Sequence, residues 1–174
     1  MCKKRGWYFV HIRAISESDA ASYLRLTQTL DEETVFRLYE PGENRKSVEE
    51  ESAWIREILA NSRSLLLVAE ADGSLVGYLL AVGRNIARIK HSVHISIGIL
   101  QSHTGQGIGT QLFVALEEWA RANGIHRLEL TVMTNNPVAQ ALYRKMGFTV
   151  EGTKRDSLLV NGTYIDDIYM AKLI

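Results

Sequence analysis

The sequence predicts a single mixed α/β domain: a mostly antiparallel central sheet of about seven strands, flanked by helices. Three observations predict it. Short apolar stretches with strand character alternate with longer segments in which apolar residues recur at helical spacing. Two-residue turn signals, Asp72-Gly73 and Asn161-Gly162, join neighbouring strand candidates. No repeat, low-complexity run or linker divides the 174 residues, a length that suits one sizeable core.

Each element has a local reason. Residues 8–14 alternate apolar and polar, the pattern of a strand. Ser16 or Ser18 then caps a helix to about Leu30, with Ala20, Tyr23, Leu24 and Thr27 on one face. Residues 31–39 read as a second, short helix and Pro41-Gly42 as a turn. Ser47 and Glu50 have capping-box spacing and open a helix with Trp54, Ile55, Ile58 and Leu59 on its apolar stripe. Residues 64–71 and 75–82 form a hairpin about Asp72-Gly73, and 91–100 is another strand. A helix over 107–122 turns Leu112, Leu116 and Trp119 to the core and ends at Asn123-Gly124. Residues 127–133 are a strand. Asn136-Pro137 opens a helix, where proline's missing N–H is harmless, and Gly147 ends it. Strands 148–154 and 164–172 meet through Asn161-Gly162. The order is β-α-α-β-β-β-α-β-α-β-β.

Composition narrows the function. Twenty basic and twenty acidic side chains leave no net charge, which argues against a general nucleic-acid binder. Cys2 is the one cysteine, so neither an internal disulfide nor a cysteine-based metal site is expected. Lys3, Lys4 and Arg5 precede an apolar stretch, 7–10, too short for a signal peptide, and His11 and Arg13 interrupt it. No window approaches a membrane span. The expectation is a cytoplasmic protein with no membrane partner.

The most informative segment is Thr104-Gly105-Gln106-Gly107-Ile108-Gly109-Thr110, where a strand gives way to a helix. Glycines let the backbone turn tightly and approach a ligand without a Cβ in the way. The free N–H groups and dipole of a helix start favour an anion there. On these residues alone an ordinary tight turn competes equally. A nucleotide P-loop would need lysine after the last glycine, and Thr110-Gln111 stands there. A dinucleotide fingerprint would need different spacing near the start of a βαβ unit.

A second block follows the loop: Leu128-Glu129-Leu130-Thr131-Val132, then Asn136, Ala139, Leu142 and Tyr143, then Lys145-Met146-Gly147-Phe148. Together the two blocks resemble the GCN5-related N-acetyltransferase (GNAT) superfamily over roughly residues 64–172. The resemblance implies a sheet splayed at strands four and five. It also implies one acetyltransferase domain over 1–174, with acceptor-side helices in 1–63 and an acetyl-CoA-binding core in 64–172. Acetyl-CoA would be co-substrate, with no metal. Its pyrophosphate would lie on the backbone of Thr104, Gly105, Gln106, Gly107, Ile108, Gly109 and Thr110. Ile97 and Ile99 would offer backbone groups to the pantetheine arm, and Asn136 would steady the helix start or the pantetheine. The loop departs from the family at Thr104, where arginine or glutamine is usual.

The same resemblance makes Tyr143 the proton donor to the departing thiolate, a step a phenol can perform. His94 matches the slot of the base that deprotonates the acceptor amine. His91, Glu129 and ordered water compete for that role. The implied reaction is direct attack of a primary amine, of a small molecule or a peptide or protein N-terminus, on acetyl-CoA. A non-catalytic acyl-CoA sensor is the alternative. A homodimer is compatible with the reading. Residues 31–57 hold nine acids against four bases, a local charge of −5. That face either steers a cationic acceptor or is simply a solvated surface.

Overall fold

Among the described residues, 10–174 of a computed structural model, seven strands and four α-helices follow one another. They are β1 His11–Ala14, α1 Ala20–Glu33, α2 Val48–Ala60, β2 Leu65–Ala71, β3 Ser74–Gly83, β4 Ser92–Ile99, α3 Ile108–Ala122, β5 Arg127–Met133, α4 Pro137–Lys145, β6 Thr149–Val160 and β7 Thr163–Leu173. Cys2 and the expected start of the first strand at Tyr8 lie outside the described residues. No helix among them is long and apolar enough to cross a membrane.

Local chemistry accounts for the element ends. Ser47 Oγ accepts from the Glu50 N–H at 3.1 Å, and Glu50 Oε2 accepts from the Ser47 N–H at 2.7 Å, closing the capping box of α2. Asp72 and Gly73 turn β2 into β3 at φ 49° and 74°, and Asn161 and Gly162 turn β6 into β7 at 50° and 76°. Positive φ at both central residues matches the twist of a hairpin.

Two expectations are corrected. Residues 31–39 are not a second helix: Asp31–Glu33 complete α1, and Thr34 is extended at φ −150°. β-Branched and aromatic Thr34-Val35-Phe36 favour extended backbone, and Arg37 turns back to ion-pair with Asp31. Strand β6 runs to Val160 rather than stopping near Lys154. Its register slips between Lys154 and Leu158, where Asp156 takes φ 49° and donates its N–H to Asp166 Oδ1 at 2.8 Å. That bulge hides the strand's continuity from a reading of period two.

The sheet order is β1-β2-β3-β4-β5-β7-β6, antiparallel except between β4 and β5. Helices cover both faces. On one side Leu112, Phe113 and Leu116 of α3 meet Val93, Ile95, Leu128, Leu130 and Met170. On the other, Tyr23, Leu26 and Leu30 of α1 and Ile55 of α2 meet Leu66, Val68 and Tyr78. The run 65–69 is apolar without alternation because both faces of β2 are buried there.

Strands β4 and β5 pair only over Ser92–His94 and Arg127–Glu129. Beyond that point β4 stays on β3 through Ile99, and β5 stays on β7 through Met133, so the sheet opens between them. Backbone groups of successive strand residues face opposite neighbours. The Leu100 N–H donates to Val76 O on β3, and His91 O accepts from the β5 side. By that alternation the N–H and C=O groups of Ile97 and Ile99 point into the opening.

Candidate active site

A cavity of about 1070 Å³ runs through this opening. At one end it meets the glycine loop and the start of α3. In the middle it is walled by β4, β5 and the first turns of α4, and at the other end by α1, the segment after it and α2.

The loop is built as an open cradle. Gly105 and Gly107 sit at φ 72° and 83°, and a Cβ on either would meet no atom within 4 Å. Gly107 is the residue at the mouth of α3, so the free N–H groups of Ile108, Gly109 and Thr110 follow it directly. Gly109 serves differently. It is buried, and a Cβ there would fall 2.8 Å from Leu142 Cδ2, so this glycine lets α3 pack on α4. Thr104 donates its hydroxyl to Gln101 O at 2.9 Å, which commits that proton to the loop's own backbone. Gln106 Nε2 likewise donates to Ser102 O at 3.1 Å. Lys145, whose role the sequence leaves unassigned, lines the cavity and reaches Thr110 Oγ1 at 3.4 Å. It brings a cation to the cradle.

Tyr143 projects from α4 into the cavity wall and is 7 % exposed. Its ring meets Phe113 edge-on at 5.8 Å and Phe148 at 6.1 Å. Burial, with a smaller contribution from Tyr78, pushes the phenol well above its usual range. The group therefore keeps its proton at neutral pH. Asn136 caps α4, its Oδ1 accepting from the Ala139 N–H at 3.1 Å, and it also lines the cavity.

The base candidates separate. His94 lines the cavity, opposite Val82 and Glu129 in the ladder. Glu129 is ion-paired with Arg127 at 2.7 Å, away from the lining. His91 precedes β4 at the closed end of the opening, with its ring 6.5 Å from that of His126.

The end under α1 and α2 holds residues that sequence reasoning missed. Tyr23 stacks on Trp54 at 5.9 Å and meets Tyr78 edge-on at 5.5 Å. Glu51, 2 % exposed, pairs with Lys46 at 3.2 Å, and that ammonium lies 4.8 Å from the centre of the Trp54 ring. Arg37 donates to Tyr78 Oη at 2.6 Å and to Asp31. From the acidic stretch, the lining takes Glu33 and Glu51 but also Arg37 and Lys46, so the cavity side of residues 31–57 is balanced. The helical periodicity assigned to residues 31–39 concealed Arg37.

The acetyltransferase (GNAT) family profile matches residues 26–148. Among characterised relatives, the chain is 34 % identical over 111 residues to the L-amino acid N-acetyltransferase AaaT of Escherichia coli, covering 62 % of this chain and 67 % of that one. It is 28 % identical over 159 residues to a spermidine N(1)-acetyltransferase of Vibrio cholerae, covering 89 % and 87 %. Among solved structures, an acetyltransferase of the GNAT family from Streptococcus pneumoniae superposes with a TM-score of 0.91 at 29 % identity, over 95 % of this chain and 99 % of that one. With the splayed sheet, the open glycine cradle and this profile in agreement, the chain belongs to the GNAT family of acetyltransferases.

Proposed function

We propose that the protein transfers the acetyl group of acetyl-CoA directly to the primary amine of a small molecule. The observation that carries this reading is the continuity of the cavity from the glycine cradle, past Tyr143, to the chamber under α1 and α2. Both substrates of a direct transfer must meet in one space, and this cavity supplies it. In this reading α1, the segment after it and α2 form the acceptor side, and residues 64–172 the acetyl-CoA core.

The pyrophosphate lies on the N–H groups of residues 104–110, with the Lys145 ammonium beside them. The pantetheine adds to the edge of β4 as a short strand, through Ile97 and Ile99. Asn136 holds the start of α4 against it. The amine nitrogen forms a bond to the thioester carbon, the C–S bond breaks, and the sulfur leaves with its electron pair. Tyr143 then donates its proton to that sulfur. His94 takes the proton lost by the amine, directly or through water. Support for His94 over the other two side chains is its place in the cavity lining.

The test is incubation of the protein with acetyl-CoA and a panel of amines, following free thiol. Amine-dependent thiol release supports the proposal. Tight acetyl-CoA binding without release on any amine would make the protein an acyl-CoA sensor instead.

A further inference from the structure

Arg37 stands in the acceptor half of the cavity on the segment between α1 and α2, its side chain 16 % exposed. Nε donates to Asp31, whose side chain is 2 % exposed, and Nη1 donates to Tyr78 Oη. Asp31 engages with one oxygen only: its Oδ2 is buried and has no hydrogen-bond partner. Nη2 of Arg37 makes no hydrogen bond among the described residues. A guanidinium carries five N–H donors in a planar fork. Holding it at Nε and Nη1 and leaving Nη2 uncommitted in a substrate chamber makes a pre-oriented receptor for a planar anion. Arg37 and Tyr78 line the cavity, and Asp31 lies outside the lining.

The position of this receptor limits the size of the ligand. Tyr78 pairs with Gly98 in the ladder, and a Cβ on Gly98 would fall 3.4 Å from Arg37 Nη1 and 2.7 Å from the Tyr78 ring. Gly98 lies between Ile97 and Ile99, at the open edge of β4. Arg37 therefore rests against the strand segment that borders the reaction space. Tyr78 and Tyr143 line the same cavity. An anion held here and an amine attacking at the opening must be separated by very few bonds.

We propose that Arg37 binds the α-carboxylate of the acceptor, which is an α-amino acid. The assignment rests on the acyl-transfer reading of the cavity given above. The aromatic wall of Tyr23 and Trp54, beyond Tyr78, receives the amino acid's side chain. Of the two buried carboxylates that line the cavity, Glu51 is already paired with Lys46 and Asp167 accepts from the Ser157 hydroxyl, which leaves a second ammonium on the acceptor less to meet.

The experiment compares an aromatic L-amino acid, its carboxamide and its decarboxylated amine as acceptors, by kcat/KM. The wild-type protein is expected to prefer the acid over both neutral-tailed forms by roughly ten- to a hundredfold, the range for hydrogen bonds to a charged group. Arg37→Gln, and Asp31→Asn/Arg37→Gln, which strands no buried carboxylate, are each expected to collapse that ratio to within about threefold of one. The ratio is internal to each preparation, so loss of folded protein cancels from it. Equal turnover of acid and carboxamide by the wild-type protein, or an unchanged ratio in the variants, overturns the assignment. A diamine accepted better than the acid overturns it too. Failure of acetyl-CoA to bind at all would instead defeat the acyl-transfer reading itself, which calorimetric titration reads independently of any acceptor.

Discussion

Replacing Tyr143 by phenylalanine separates chemistry from packing. The ring is held edge-on by Phe113 and flanked by Phe148, and phenylalanine keeps those contacts. The hydroxyl makes no hydrogen bond among the described residues, and its environment is apolar enough to hold the phenol protonated. The hydroxyl opens on the cavity and deleting it strands no partner, so stability is expected to stay within about 1 kcal/mol of wild type. For a domain of this length that is a Tm change of about 2–4 °C or less. The lost proton donor, by contrast, is expected to lower kcat by roughly ten- to ten-thousandfold, or about 1.4–5.5 kcal/mol of barrier. Affinity for acetyl-CoA is expected to change little, because the cradle lies on α3. Steady-state kinetics at several pH values, calorimetry with CoA and a thermal melt together read all three quantities. Wild-type kcat across that pH range would mean that the thiolate takes its proton elsewhere and that Tyr143 is only a packing residue.

Other consequences follow from the same geometry. Gly107→Glu places a carboxylate in the open cradle at φ 83°. It is expected to cost about 1–2 kcal/mol in backbone strain and to abolish CoA binding, read by calorimetric titration of the folded variant; unchanged affinity would reduce the loop to an ordinary turn. Arg37→Ala leaves Asp31 buried without its cation and is expected to lower unfolding free energy by about 3–5 kcal/mol, measurable by denaturant titration; a loss under about 1 kcal/mol would show that the pair carries no stability. The Arg13 guanidinium, bonded to Asp19, holds that carboxyl down to about 2. A carboxyl lowered by folding stabilises above its unfolded value, and the benefit fades as pH falls from about 4 towards 2. Asp19→Asn is expected to remove that part of the acid dependence, about 1 kcal/mol or less for a pair so near solvent; an identical pH–stability curve for both proteins would remove Asp19 from the account.

What the sequence disclosed, and what it did not, divides along local and tertiary lines. The capping box of α2, the turns at Asp72-Gly73 and Asn161-Gly162 and the glycine loop are short-range chemistry, and each lies where its residues predict. The opening between β4 and β5 was legible only through resemblance, because pairing over three residues followed by divergence leaves no mark in either strand alone. Arg37 was missed for a similar reason. Its partners, Asp31 six residues before it and Tyr78 forty-one after it, come together only when α1 packs on β3. Thr104 lies in the expected loop with its hydroxyl turned inward to Gln101 O, a choice that depends on loop geometry and not on residue type. The net charge of residues 31–57 also misleads as a guide to the cavity, since the fold brings its bases and its acids into the lining in equal number.

The central claim is that one cavity brings acetyl-CoA and an amine together for direct transfer. It is tested most directly by mixing the purified protein with acetyl-CoA and an L-amino acid, then following free thiol and the mass of the amino acid in the same samples. The account predicts that thiol appears only when the amine is present, in step with an N-acetylated product and without an acetylated form of the protein. Thiol release without acetylated amine, or an acetyl group that accumulates on the protein first, would contradict it.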